Sequence, residues 1–178
     1  MKLKKYQIIL IDPPWPIKLI SRRVRPYQLD MPYNTMTIKQ IKELSVNKLA
    51  NTNGCHLFLW TTHKYLPYCF DICDLWGFKY NCLLTWDKGK GFTPMGFMWS
   101  TEFCVYAQLK NKWIKHNRVG MKTLIREKPR EHSAKPRYMH SFIEQACGDL
   151  PRVELFSRTV VPGWDRWGDE TISNVDFI

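Results

Sequence analysis

No stretch of this 178-residue sequence approaches the length of a membrane span, although 44% of its residues are hydrophobic. That combination excludes a membrane-spanning chain and fits a soluble protein with a real core. A secretory leader is also missing: the amino terminus is basic but runs directly into an aliphatic strand, so a cytoplasmic location is expected, beside the nucleoid in a prokaryote. Six cysteines are present, yet there is no C-x-x-C pair and no Cys/His array of zinc-finger spacing. No metal site is therefore expected, and the thiols read as reduced and buried. Acidic residues are scarce, 16 against 27 Lys and Arg, which leaves a net charge of +11. With 14% aromatic residues interleaved, this excess points to a polyanionic partner, nucleic acid above all, and away from a membrane. The length fits one domain over residues 1–178.

The most informative stretch is Gln7-Ile8-Ile9-Leu10-Ile11-Asp12-Pro13-Pro14-Trp15. Four consecutive aliphatics predict a short strand buried on both faces, and the prolines must end it because proline fixes φ and cannot donate to a ladder. A carboxylate and an indole are thereby held at the carboxyl end of a buried strand, the edge where open α/β sheets bind ligands. Neither proline has an N–H, and an ionised Asp12 only accepts. A substrate amino group with two N–H donors finds two acceptors there and no competing donor, while Trp15 offers a flat face for a base. The alternative is a strand ended by a proline turn with a packed tryptophan.

Along the chain, Lys18, Arg22, Arg23 and Arg25 fall in a polar connection after this strand, over about 16–31, which either grips phosphates as a mobile substrate loop or faces water. Tyr33 either frames a base pocket or packs. Thr37 and Gln40 predict a capping box opening a short helix with Ile38, Ile41 and Leu44 on its apolar face. A strand is expected over Cys55 to Trp60, a helix over about Lys64 to Trp76 ended by Gly77, and a strand over Lys79 to Trp86. Asp87 to Trp99, with three glycines and several large apolar residues, reads as a loop over about 87–100. Its Lys88, Phe92 and Trp99 are candidates to contact or stack on an extruded base, unless the loop folds back over the sheet. Glu102 to Leu109 alternates as a strand.

The segment from Lys110 to Arg137 is the most basic, with only Glu127 and Glu131 against ten cations. It reads as a partly mobile loop over about 110–135 in which Lys122 and Arg126 either clamp a phosphate backbone or form a solvated face. A helix is expected from about Pro136 to Cys147, with Lys135 just before it, then a strand over Arg152 to Phe156. The residues after Glu170 read as a short tail.

Asp12-Pro13-Pro14-Trp15, Pro32-Tyr33-Asn34-Thr35-Met36, Leu57-Phe58-Leu59-Trp60, Leu75-Trp76-Gly77-Phe78, Ser133-Ala134-Lys135-Pro136 and Val153-Glu154-Leu155-Phe156-Ser157-Arg158 stand in one order over nearly the whole chain. Together they resemble the MT-A-seventy family of S-adenosylmethionine-dependent adenine N6-methyltransferases. The resemblance implies S-adenosylmethionine as cofactor and Asp12, Pro13, Pro14 and Trp15 as the catalytic tetrad. It assigns Asp12, Lys135, Arg158, Asp169 and Glu170 to the cofactor, Lys135 to its methionine carboxylate and the last three to its ribose and adenosine. Asp169 stands where many relatives have asparagine. Glu154 either supports the pocket or plays an inward structural role.

The alternation of elements, read with this resemblance, implies an α/β, Rossmann-like doubly wound methyltransferase sheet, permuted so that the catalytic motif precedes the cofactor-binding portion. The implied reaction is in-line methyl transfer to the 6-amino group of adenine, carbon and nitrogen meeting at about 3 Å. It needs no covalent enzyme intermediate and rests on positioning and electrostatics. DNA is favoured over RNA because no zinc-finger array or RRM motif is recognisable. RNA is the alternative, and a non-catalytic nucleic-acid-binding subunit the second; a homodimer or a partner subunit is compatible with either.

Overall fold

Residues 8–11 form a strand with both faces covered, as a run of aliphatics without alternation requires. In the computed structural model, which describes residues 4–16, 35–92, 96–110, 120–129 and 134–177, this strand, β1 (Ile8–Ile11), lies between two parallel neighbours. The elements that follow are α1 (Ile38–Glu43), α2 (Val46–Leu49), β2 (Cys55–Thr61), α3 (Leu66–Leu75), β3 (Lys79–Phe92), β4 (Trp99–Leu109), β5 (Leu124–Arg126), α4 (Met139–Cys147), β6 (Arg152–Leu155) and β7 (Asp165–Trp167). One sheet of seven strands results among the described residues, in the order β5-β3-β4-β2-β1-β6-β7. Only β4 runs against the others, pairing antiparallel with β2 and β3.

Period-two alternation sends β1 to two cores. Ile9 and Ile11 pack with Ile41 of α1, Val46 and Leu49 of α2, and Cys69, Ile72 and Cys73 of α3. Ile8 and Leu10 pack on the opposite face with Met139, Ile143, Ala146 and Cys147 of α4. Helices on both faces of a mostly parallel sheet make the doubly wound, Rossmann-like α/β architecture expected from the sequence. Burial pushes the thiols of Cys55, Cys69 and Cys73 up to about 12, so they are neutral and act through packing.

Local signals explain the helix ends. Thr37 Oγ1 accepts from the Gln40 N–H while Gln40 Oε1 accepts from the Thr37 N–H, the reciprocal capping box. Gly77 closes α3 at φ +81°, where its N–H reaches the Asp74 carbonyl.

Four expectations need correction. The stretch 87–100 is not a loop throughout: β3 continues to Phe92 and β4 begins at Trp99, a long hairpin with a register shift between Asp87 and Phe92. Glycine is read there as flexibility but serves close approach, since a Cβ on Gly91 would lie 2.3 Å from the Trp99 carbonyl oxygen. Within 110–135, Leu124–Arg126 is a strand paired in parallel with Thr85–Asp87; a lone buried Ile125 is too short a signal to mark it. Helix α4 starts at Met139, three residues later than Pro136, because Pro136 to Tyr138 form a turn in which the Met139 N–H meets the Pro136 carbonyl. Finally, the residues after Glu170, read as a short tail, fold back onto the sheet. Asn174 covers the outer edge of β7, accepting from the Arg166 N–H at 2.7 Å and donating to its carbonyl at 3.0 Å. Phe177 is buried edge-on against Trp167.

Candidate active site

Between β2 on one side and β6 on the other, β1 is where the strand order reverses. The crevice beyond its carboxyl end is the ligand site of such sheets, and Asp12 is the first residue in it. The following turn is held from several sides. The Trp15 N–H donates to the Pro13 carbonyl across a tight three-residue turn at 2.8 Å, and the Met36 N–H donates to the Pro14 carbonyl at 2.8 Å. Trp15 itself is an anchor: its Nε1 donates to the Trp60 carbonyl at 3.0 Å, and its ring stacks on Tyr65 at 5.2 Å and 8°. The Tyr65 hydroxyl donates in turn to the Pro16 carbonyl. Trp15 is thus buried with one face covered, and the open stacking face expected of it is not presented in this arrangement. The Pro13 carbonyl keeps a second lone pair for another donor.

Four charges alternate in sign across the mouth of the crevice. Asp12 Oδ2 lies 2.9 Å from Lys135 Nζ, which lies 3.4 Å from Glu102 Oε2, and Glu102 Oε1 lies 3.1 Å from Lys88 Nζ. The register accounts for the meeting: Glu102 pairs with Trp86, so Glu102 and Lys88 point to the same face of β4 and β3 as Leu10, and Lys135 reaches down from the segment before α4. Burial raises the Asp12 carboxyl above the ordinary carboxylate range, with Glu102 adding to the rise and Lys135 and Arg158 opposing it. Burial acts on Glu102 in the same sense, but Lys135 and Lys88 outweigh it and hold that carboxyl below its ordinary value. For Lys135, burial works against the ammonium, and the two carboxylates overcome it and raise its pKa. Glu102 and Lys135 are thereby held in their charged forms, while burial pushes Asp12 toward its neutral form against the pull of Lys135. Lys135 acts through its own charge, because α4 begins too far along for its N-terminal field to add to it.

At the end of β6 the backbone is strained. Phe156 has φ +60°, unusual for a bulky residue and typical of functional turns. The Ser157 N–H bonds the Trp167 carbonyl at 3.0 Å, and a Cβ on Gly168 would lie 2.4 Å from the Ser157 carbonyl oxygen, so the turns after β6 and β7 touch. They carry Arg158, whose Nε lies 3.2 Å from Glu170 Oε1, and the exposed Asp169. Glu154 Oε2 meets His140 Nε2 at 3.0 Å and Ser157 Oγ at 3.0 Å, which ties α4 to β6 and gives Glu154 an inward, structural place.

The MT-A70 family pattern matches residues 6–170. The chain belongs to the MT-A70 family. MT-A70 methyltransferases use S-adenosylmethionine, and the site's chemistry fits it: Asp12 and Lys135 set an anion beside a cation, as the ammonium and carboxylate of a methionine moiety require, and Arg158 and Glu170 stand further along the same edge. Among relatives, the chain is 27% identical over 187 residues to the type II methyltransferase M.MunI of Mycoplasma sp, covering 96% of this chain and 80% of that protein. It is 24% identical over 178 residues to the human N(6)-adenosine-methyltransferase catalytic subunit METTL3, covering 94% of this chain and 28% of that protein. The mouse N(6)-adenine-specific methyltransferase METTL4 is 26% identical over 187 residues, with 95% and 38% covered. The chain thus spans most of the Mycoplasma relative and only a quarter to two fifths of the animal ones.

Asp12, Lys135 and Arg158 lie close enough for both cations to act on Asp12. The substrate-binding expectations divide. Lys88 is at the crevice, and Arg126 is on edge strand β5, exposed and 3.7 Å from Asp87. Lys122 is not with them. It lines a cavity of about 190 Å³ under α4 with Phe58, Leu84, Tyr106 and Phe142, below the level of Leu84 and toward the opposite end of the sheet. Trp99 stands on the hairpin with its ring on His63. Arg22, Arg23, Arg25 and Tyr33 lie outside the described residues, as does the Phe92 side chain.

Local sequence patterns do not single out Glu102 beside Lys135, Tyr65 beside Trp15, or His63 beside Trp99. A carboxylate opening an otherwise apolar strand was the one available signal for Glu102. His63 and Tyr65 sit in the β2–α3 turn, and only the register that places this turn beside the Asp12 loop reveals them.

Proposed function

We propose that the chain transfers a methyl group from S-adenosylmethionine to the 6-amino group of adenine in DNA. The observation that carries this reading is the acceptor-only turn Asp12-Pro13-Pro14 at the sheet's switch point, with its carboxylate paired to Lys135 at 2.9 Å. The human and mouse relatives are named for methylation at N6 of adenosine and of adenine, which supports the same target atom here. The net charge of +11 suits a polyanionic substrate.

In this reading Lys135 receives the methionine carboxylate and Asp12 its ammonium, while Arg158, Asp169 and Glu170 meet the ribose and adenosine. The bound cofactor supplies an electrophilic methyl group. Asp12 and the Pro13 carbonyl accept the two amino hydrogens of adenine. The nitrogen lone pair would thereby be freed from the ring for the methyl group, whose bond to the cofactor sulfur would break, leaving a neutral thioether, as the N–C bond forms, and the proton shed by the amine would pass to the Asp12 carboxylate and on to solvent. Trp15, through Trp60 and Tyr65, keeps the acceptors fixed, so that no reorganisation is needed as charge develops. Glu102 holds Lys135 in place. A base in a duplex has to be flipped out, at roughly a few kcal/mol, which phosphate contacts offset.

DNA is favoured because the sequence carries no recognisable zinc-finger array or RRM motif, and the Mycoplasma relative, 80% of which is covered, is named a type II methyltransferase. A second copy or a partner subunit belongs to the same proposal, since the human relative is named as a catalytic subunit. The intact tetrad argues against a merely supporting subunit. The test is methyl transfer from labelled S-adenosylmethionine to matched DNA and RNA oligonucleotides, single- and double-stranded. Label on adenine in DNA exceeding that in RNA supports the reading. Label confined to RNA replaces DNA by RNA, and cofactor binding with no transfer to either overturns the enzyme assignment for the isolated chain.

A further inference from the structure

Beyond the crevice, the hairpin carries an aromatic pair that the reaction itself does not use. His63, in the turn after β2, stacks on Trp99 with ring centres 5.2 Å apart and planes 26° apart. The imidazole is fixed on its other sides: its edge meets Phe103 at 4.7 Å and 76°, and its Nε2 lies 2.8 Å from Thr101 Oγ1. Burial, then the nearby Lys88, lowers its pKa, so at neutral pH it is a flat neutral ring and not a cation. Trp99 remains 37% exposed, and its chain neighbours Phe97 and Met98 are 84% and 60% exposed. A protein does not usually leave three consecutive large apolar side chains in water without a use for them.

Their position suggests the use. Trp99 precedes Glu102 by three residues on β4, which at about 3.4 Å per residue puts it roughly 10 Å beyond the charged mouth of the crevice. A base flipped into the Asp12 site lies too deep to reach it, whereas the next nucleotide along the same strand does not. Period-two alternation also sends Trp99, Thr101 and Phe103 to the face opposite Glu102, the face on which the Trp15–Tyr65 pair lies. The two stacks share one turn, His63 and Tyr65 being two residues apart. The exposed cations Lys90 and Arg126 flank the hairpin. Aromatic rings beside solvated cations form the usual platform for single-stranded nucleic acid, while a protein partner is served better by an apolar surround.

We propose that Trp99, backed by His63, is a stacking platform for the nucleobase that flanks the target adenine, a subsite separate from the methyl-transfer pocket. The proposal rests on the nucleic-acid reading above. A single platform gives little sequence readout, because every base has a π-face. It holds the displaced strand and keeps the target base extruded.

The test is fluorescence anisotropy with a labelled oligothymidylate carrying one central adenine, on wild type, W99A, W99F and H63A, repeated with a single abasic residue stepped along either side of the adenine. W99A is expected to weaken binding roughly five- to a hundredfold, W99F to bind as wild type does, and H63A to fall between. One flanking abasic position should weaken the wild type by a similar factor and leave W99A unchanged. Equal affinities of wild type and W99A, in a protein that still methylates the adenine, overturn the platform and leave the methyl-transfer reading standing. A wild type that binds no oligonucleotide overturns both. If W99A binds DNA normally but changes oligomeric state in sedimentation equilibrium, the aromatic tip serves a protein partner and the platform is equally overturned.

Discussion

Lys135 lies 2.9 Å from Asp12 and 3.4 Å from Glu102, so one ammonium serves two carboxylates, one just past the end of β1 and one on β4. The residue that the family resemblance gives to the cofactor is therefore already committed within the protein. Binding a methionine carboxylate at Lys135 has to loosen one of these contacts. In the proposed reading the same ligand's ammonium meets Asp12, which is then the partner best compensated for the loss.

The acid limb of the rate should report this sharing. Methyl transfer needs Asp12 ionised, and burial raises its pKa, so activity falls with decreasing pH through a value above the ordinary carboxylate range. K135M removes the charge that opposes the rise, and the limb should move to higher pH, with kcat/KM down roughly a hundredfold. E102Q removes a like charge, and the limb should move to lower pH. Opposite displacements in pH–rate profiles of the two variants check the account; movement in one direction contradicts it.

Glu102 also contributes to stability with a definite sign. Its lowered pKa means the contribution is present above the ordinary carboxylate range and is lost as pH falls through the lowered value. Since its side chain is only 19% exposed, E102Q should cost roughly 2 kcal/mol near neutral pH, less than the about 3–5 of a fully buried broken pair. Its Tm should then change less with acid than the wild type's does. Thermal unfolding from neutral to acid pH measures both.

For Trp15 the expected effect is first on the fold. W15F keeps the ring on Tyr65 but leaves the Trp60 carbonyl without its donor, at about 1–2 kcal/mol, while W15A adds a cavity and reaches about 3–5 kcal/mol. Denaturant unfolding gives these values. A W15A protein as stable as the wild type would mean that the indole is not the anchor described.

The sequence disclosed the centre of this molecule better than its edges. Ile8 to Ile11 could be placed because four aliphatics before two prolines admit few other structures, and Thr37 with Gln40 because a capping box is written in two residues. β5 and β7 could not. Each has three residues, with Ile125 the only buried side chain in β5 and none fully buried in β7, so nothing periodic exists to detect. Gly89 and Gly91 misled because glycine marks flexible loops and close strand contacts alike. At the site, Asp12 and Lys135 were legible as motif residues, but the Asp12–Lys135–Glu102–Lys88 alternation depends on the β3–β4 register, which no local pattern carries.

The carboxy-terminal segment gives a direct check on one such correction. Phe177 is 6% exposed against Trp167, with Val175 packed beside the same core. F177A should cost about 3–4 kcal/mol, and hydrogen exchange should show the Arg166 amide, held by Asn174, losing protection with it. A loose tail would show neither.

In the proposed reaction Asp12 accepts the adenine amino hydrogens and the cofactor ammonium. D12N keeps the shape of the side chain but places an amide donor where only acceptors stand. Single-turnover transfer from labelled S-adenosylmethionine to an adenine-containing DNA oligonucleotide, with the product base identified by mass spectrometry, tests this most directly. The account predicts N6-methyladenine with the wild type and a loss of roughly a thousandfold in D12N, with the Tm and oligonucleotide binding retained. D12N transferring within about tenfold of the wild-type rate, a difference of only about 1.4 kcal/mol, would contradict it.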